Sequence, residues 1–245
     1  MGQPMSTASL ELRSPRLRGA HVLAGIAGVV VLGLGCHRGS SSPDSGAGSA
    51  ALAVATLPAK TIPTTPPGLK WPVAPGWQRE AFVLPPPFAP KLGVTGFEEV
   101  RLAPGFARPG ANDFWSYAFV WFVEGQLPLD GAALTQLLET YYRGLCQEGG
   151  DPRFVFKPEL VRVDLARVSE PATAPDEGEQ HELQGTVDTL DCLFTGKPLT
   201  LHVRLQVQDC PQTQRRALLV RGSPQKDGNP IWRELDQRQA ELICR

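Results

Sequence analysis

The sequence predicts an α+β fold: an antiparallel sheet, running as a meander in its second half, with two flanking helices. Three observations carry this. From Leu160 to Arg221 short runs alternate apolar and polar side chains, the period of half-buried strands. Phe114 to Val123 is apolar almost throughout and holds six aromatic residues, the pattern of a central strand covered on both faces. Two segments, opening at Asp130 and Asn229, place apolar residues at helical spacing behind good N-cap residues.

The first 35 residues stand apart from that domain. Arg13, Arg16 and Arg18 precede an apolar run, Val22 to Leu34, which is shorter than the roughly 20 residues a membrane-spanning helix needs. A positive segment, an apolar segment and then small residues describe an export signal. The run closes Leu32-Gly33-Leu34-Gly35-Cys36, and it resembles a bacterial lipoprotein signal peptide, in which Gly precedes the cysteine and a Leu stands further upstream. Here Gly35 matches, while Gly33 occupies the usual Leu position and Leu32 lies one place early. The resemblance implies cleavage before Cys36 and a diacylglycerol thioether on its sulfur, usually with an N-acyl chain. Two or more chains give stable anchoring to the bilayer. Position 37 is His and not Asp, which favours the outer over the inner membrane of the cell envelope. The alternative is an uncleaved anchor helix with Cys36 as a free thiol.

Residues 36–67 read as a tether. They are rich in Ser, Gly, Ala, Thr and Pro, with Ser40-Ser41-Ser42-Pro43 and Pro63-Thr64-Thr65-Pro66-Pro67 as the clearest parts. Such a composition buries too little apolar surface to offset chain entropy, and it reaches roughly 30 Å as a coil. Residues 68–245 form the single globular domain, a size that supports one core.

Within it, Trp71 and Trp77 stand among prolines and read as a lid over one end of the core, or as a carbohydrate- or Pro-recognition surface. Arg79 to Leu84 is an edge strand ended by Pro85-Pro86-Pro87. In Gly96 to Leu102 the neighbours Glu98 and Glu99 point to opposite faces and read as edge charges. After the aromatic strand, Leu134, Leu137, Leu138, Tyr141 and Leu145 make a one-sided stripe that ends at Gly149-Gly150 and should lie on the sheet. Leu160 to Val168 is a strand, and 169–180 a Pro- and acid-rich loop that carries on to His181. Leu183 and Val187 are out of phase with Leu190, Cys192 and Phe194, which predicts a bulge near Thr189. Leu199 to Val207 is the cleanest alternation, Ala217 to Arg221 follows, and Asn229-Pro230 starts a helix with Trp232, Leu235, Leu242 and Ile243 on one side.

Setting Cys36 aside leaves Cys146, Cys192, Cys210 and Cys244, an even number in an exported chain. In a meander Cys192 and Cys210 fall at opposite ends of the sheet. The first helix ends near Cys192 and the last ends near Cys210. The expected pairs are therefore Cys146–Cys192 and Cys210–Cys244.

The chain has 24 basic and 25 acidic residues, and three of the former and one of the latter precede Cys36, so a net charge of −1 becomes −3 downstream. Such a balance offers no electrostatic footprint for nucleic acid. Only His181 and His202 lie in the domain, with no metal-ligand spacing. Nucleophile elbows, phosphate loops and Cys-x-x-Cys are absent, so no cofactor, metal or catalytic residue is expected. Carboxylates brought together from distant positions remain open.

Leu84 to Pro90, Gly96 to Gly105 and Phe114 to Tyr117 together look like an uncharacterised family of exported bacterial proteins, over about residues 76–145. That likeness implies a class and no activity. The strand order with two helices is similar to photosystem PsbP-like sandwiches, an analogy of fold alone. Three functions stay open. The first is a binding or structural module of the envelope, whose tether gives it reach towards a protein partner. The second is a hydrolase built around carboxylates, or around Ser116 with a base. The third is a carrier of an apolar ligand that uses residues 114–123.

Overall fold

A computed structural model describes residues 63–125, 127, 130–168 and 181–245. The lipid-attachment expectation at Cys36, the signal segment 1–35 and most of the tether 36–67 lie outside the described residues.

Nine strands and two α-helices occur among the described residues, in the order β1 Leu69–Lys70, β2 Gln78–Leu84, β3 Gly96–Leu102, β4 Tyr117–Glu124, α1 Gly131–Glu148, β5 Arg162–Arg167, β6 His181–Leu190, β7 Pro198–Cys210, β8 Arg215–Ser223, α2 Pro230–Ala240 and β9 Ile243–Cys244. Seven of the strands form one open antiparallel sheet in the order β2-β3-β4-β8-β7-β6-β5. It joins two meanders, β2 to β4 and β5 to β8, through the β4–β8 pair. The fold is thus α+β, as predicted, with β2 on an edge.

Alternation along β4 explains why the sheet is covered twice. Tyr117, Phe119, Trp121 and Val123 enter the core under α1. Ala118, Val120 and Phe122 enter a second core, shared with Ile231, Trp232 and Leu235 of α2 and with Trp71 and Trp77. The two tryptophans are therefore a lid, and Trp71 Nε1 donates to Arg238 O at 2.7 Å. Both helix starts follow their caps. Asp130 accepts from Ala133 N at 2.8 Å, and Asn229 accepts from Ile231 N at 3.0 Å.

Three expectations need correction. No bulge interrupts β6, whose pairing with β7 runs unbroken from His181↔Val207 to Leu190↔Pro198. The strand simply ends at Leu190, and Cys192 and Phe194 belong to the turn that follows, so strand phase does not apply to them. His181, expected in the acidic loop, opens β6. The last helix stops at Ala240, and Ile243 does not share its apolar face but pairs with Lys70 in a two-stranded sheet. At the other end of the domain, Arg79 Nη2 donates to Pro63 O at 3.2 Å and to Thr65 Oγ1 at 2.9 Å, so these residues of the tether lie against β2.

Candidate functional site

The four domain cysteines lie in two pairs at disulfide distance. Cys146 and Cys192 have their Cα atoms 5.3 Å apart, and Cys210 and Cys244 5.2 Å apart. These are the two pairs ranked first from strand direction. Cys210–Cys244 ties the chain end to β7. Cys146–Cys192 ties the last turn of α1 to the 191–195 turn, and both segments contribute side chains to the lining of a cleft.

That cleft lies between the C-terminal half of α1 and the face of β2, β3 and β4. Its walls are Phe82, Val100, Leu102, Tyr117 and Phe119 from the sheet, Tyr141, Tyr142 and Leu145 from α1, and Phe88, Phe106, Trp115 and Leu193 from loops. Eight of these side chains are aromatic, and the lining contains one carboxylate, Glu80, and no Lys, Arg or His. The cavity is about 60 Å³, room for on the order of four water-sized spheres.

Each wall is held by a local device. Gly144, in the C-terminal half of α1, lets a loop cross the helix closely: a Cβ there would stand 2.3 Å from Phe88 O. Glycine costs a helix about 1 kcal/mol relative to alanine, and here the approach sets Phe88 edge-on to Tyr141 with centroids 5.2 Å apart. On the far wall, Asp191 is buried and fully engaged. It accepts from Leu193 N at 3.3 Å, Phe194 N at 3.0 Å, Thr195 N at 2.9 Å and Trp115 Nε1 at 2.8 Å. This holds Trp115 at φ 52, a left-handed conformation that is an outlier for a bulky residue. Strain of this kind gathers at ligand clamps and active sites.

Behind the cleft runs a buried polar chain. The hydroxyls of Tyr117 and Tyr142 bond each other, and the Tyr141 hydroxyl donates to Glu98 Oε1 at 2.6 Å. Glu98 and Glu99 are not edge charges. β2 takes the edge and leaves β3 between two partners, so both carboxylates are buried, on opposite faces. Burial pushes the Glu98 carboxyl up to about 8, and Glu80 on the same face adds to this; the Tyr141 hydroxyl and the nearby Trp121 N–H pull the other way. Burial also drives the Tyr117 and Tyr141 hydroxyls well above the ordinary tyrosine range.

Glu99 is a structural anchor for the opposite core. Burial alone would raise its carboxyl, but hydrogen bonds from Arg79, Thr65 and Arg101 outweigh that and leave it below the usual range. Arg101 is wholly buried. It contacts Glu99 Oε1 at 2.5 Å and lies 4.6 Å from the Trp71 ring centroid.

The remaining candidates separate. Ser116 is buried, and its Oγ lies 2.8 Å from Ser223 Oγ, with no base among its hydrogen-bond partners. His202 sits in a second, polar groove with Arg204, Asp227 and Trp232, where Arg204 pairs with Asp227 at 2.7 Å and stacks 4.4 Å from the Trp232 ring centroid. Among the described residues no group of His, Cys, Asp and Glu is placed to hold a metal ion, and no helix is long and apolar enough to cross a membrane. Sequence reasoning singled out the aromatic strand but missed Glu80, Tyr142, Phe106 and Leu193 as its companions. The Tyr141-Tyr142 doublet was the available signal, since a helix with only one buried stripe rarely carries two adjacent large aromatics.

Comparison with protein-family models, with curated proteins and with solved structures finds no match.

Proposed function

We propose that the chain is an envelope lipoprotein whose α+β domain is a binding module, taking a small apolar or amphipathic molecule in the aromatic cleft. The cleft itself carries this reading: a concave, aromatic-lined site with few polar groups, walled by five segments and stapled by Cys146–Cys192. Concave apolar sites with a few convergent polar groups are the usual form of small-ligand sites. The likeness of the leader to lipoprotein signals supports anchoring at Cys36. Hydrolase chemistry has less support, because Ser116 has no base and a single carboxylate lines the cleft, where glycosidase chemistry uses a pair.

Titration of the oxidised full chain with the neutral fluorescent probe N-phenyl-1-naphthylamine tests the reading. Saturable enhancement is expected in the protein and loss of it in Leu145→Trp, which enlarges a half-buried side chain of α1 that lines the cleft. Enhancement of equal size and affinity in that variant would place the probe elsewhere and overturn the assignment.

A further inference from the structure

On the sheet face opposite α1 lies a second groove, and we infer that it binds an uncharged saccharide. Alternation sends Leu183, Val187, Leu201, Val203 and Leu205 into the core under α1 and turns Gln184, Thr186, His202 and Arg204 to the other face. These four form a block across β6 and β7, in the pairs Gln184↔Arg204 and Thr186↔His202. α2 packs over β4 and β8, so its first turn and the 224–229 turn make a step beside the block, where Trp232 and Asp227 stand. The resulting cavity is about 320 Å³, the size of small-ligand sites. Its lining shares no residue with that of the aromatic cleft.

Two features select the chemistry. The first is charge balance. The lining holds one carboxylate, Asp227, and one strong base, Arg204. They pair at 2.7 Å, and Arg204 reaches Asp236 at 3.3 Å. A charged ligand would have to break that pair, which favours an uncharged one. The second is hydrogen bonding. Among the described residues the side chains of Gln184, Thr186 and His202 have no hydrogen-bond partner, and each can both donate and accept. Sugar hydroxyls do the same, so a ring carrying several of them matches the block. A bound peptide strand would need an unpaired sheet edge or apolar pockets. The groove instead lies on the face of two paired strands, and its large apolar side chains, Val203 and Trp232, are 1% and 3% exposed. The wall is fixed beforehand: Trp232 Nε1 donates to Gln225 O at 2.8 Å, and the Arg204 guanidinium lies 4.4 Å from the ring centroid. Such preorganisation lowers the cost of binding.

NMR titration of the ¹⁵N-labelled, oxidised full chain with maltotriose, cellotriose, mannotriose and tri-N-acetylchitotriose tests the inference. At least one is expected to shift the amide signals of Gln184, Thr186 and His202 saturably at millimolar concentration. Failure of all four overturns the inference, as does binding that leaves these residues unmoved. Trigalacturonate and de-N-acetylated chitotriose, charged probes of the same length, are expected to bind about tenfold more weakly. Equal or tighter binding of either overturns the uncharged class. Gln184→Leu combined with Thr186→Val should weaken the bound trisaccharide about tenfold and leave the urea midpoint unchanged. Should that double variant not fold, Gln184→Ala, which truncates one exposed side chain, is expected to weaken binding about threefold. Unchanged affinity in the folded variant overturns the site. The aromatic cleft is judged separately, by its own probe.

Discussion

Glu98→Gln isolates a buried carboxyl whose ionisation the fold opposes. The carboxyl is completely buried beside Tyr141 and Trp121, with Glu80 the other carboxylate on that face and Tyr117 and Tyr142 behind it. Its native value of about 8, against the ordinary 4.5, means that between these pH values the folded chain holds one proton more than the unfolded chain. Stability contributed by the neutral carboxyl is therefore complete below pH 4.5 and is lost as pH rises through about 8. At 1.36 kcal/mol per unit, the span is roughly 5 kcal/mol. The amide has the same shape, can accept the Tyr141 hydrogen bond and never charges. Urea unfolding at pH 5, 7 and 9, with disulfides intact, should find the variant within about 1 kcal/mol of wild type at pH 5. At pH 9 it should be more stable by several kcal/mol. Taking the difference between the two proteins removes the contribution of Glu99, whose lowered carboxyl stabilises the fold above its unfolded pKa and ceases to do so in acid. Parallel profiles for the two proteins would refute the buried, neutral carboxyl.

The two disulfides should separate in function though not in stability. With sequence separations of 46 and 34, loop-closure entropy assigns each about 4 kcal/mol, so Cys146→Ser/Cys192→Ser and Cys210→Ser/Cys244→Ser should lose similar amounts in urea. Only the first pair joins walls of the cleft, and only its loss should weaken N-phenyl-1-naphthylamine binding. A Cys36→Ser variant should appear in the soluble fraction on cell fractionation with both domain disulfides intact by thiol labelling. Continued membrane retention would favour the uncleaved anchor helix.

Local signals in the sequence were dependable wherever one element decides its own fate. Asp130 and Asn229 cap helices because a side-chain oxygen beside an apolar stripe has that use in any fold. The cysteine pairs were legible because antiparallel order settles which end of the sheet each residue reaches, without side-chain detail. Glu98 and Glu99 were misread because adjacent carboxylates look the same on an exposed edge and on an inner strand. What distinguishes them is β2 alongside β3, together with Tyr141 on one face and Arg79 and Arg101 on the other. Ile243 was assigned to the last helix because its spacing is helical, whereas its pairing partner, Lys70, lies at the opposite end of the domain in sequence. The cleft was invisible for the same reason: Glu80, Phe106, Tyr142 and Leu193 come from four separate segments, and no local pattern links them.

The central claim is that a ligand enters between α1 and the sheet face of β2 to β4. Aromatic and methyl NMR shifts on saturation with N-phenyl-1-naphthylamine test it most directly. The account predicts shifts concentrated on the rings of Tyr117, Phe119 and Tyr142 and on the methyl groups of Leu145 and Leu193. Shifts confined to the opposite face, at Trp232 and Leu235, with the cleft residues unmoved, would contradict it.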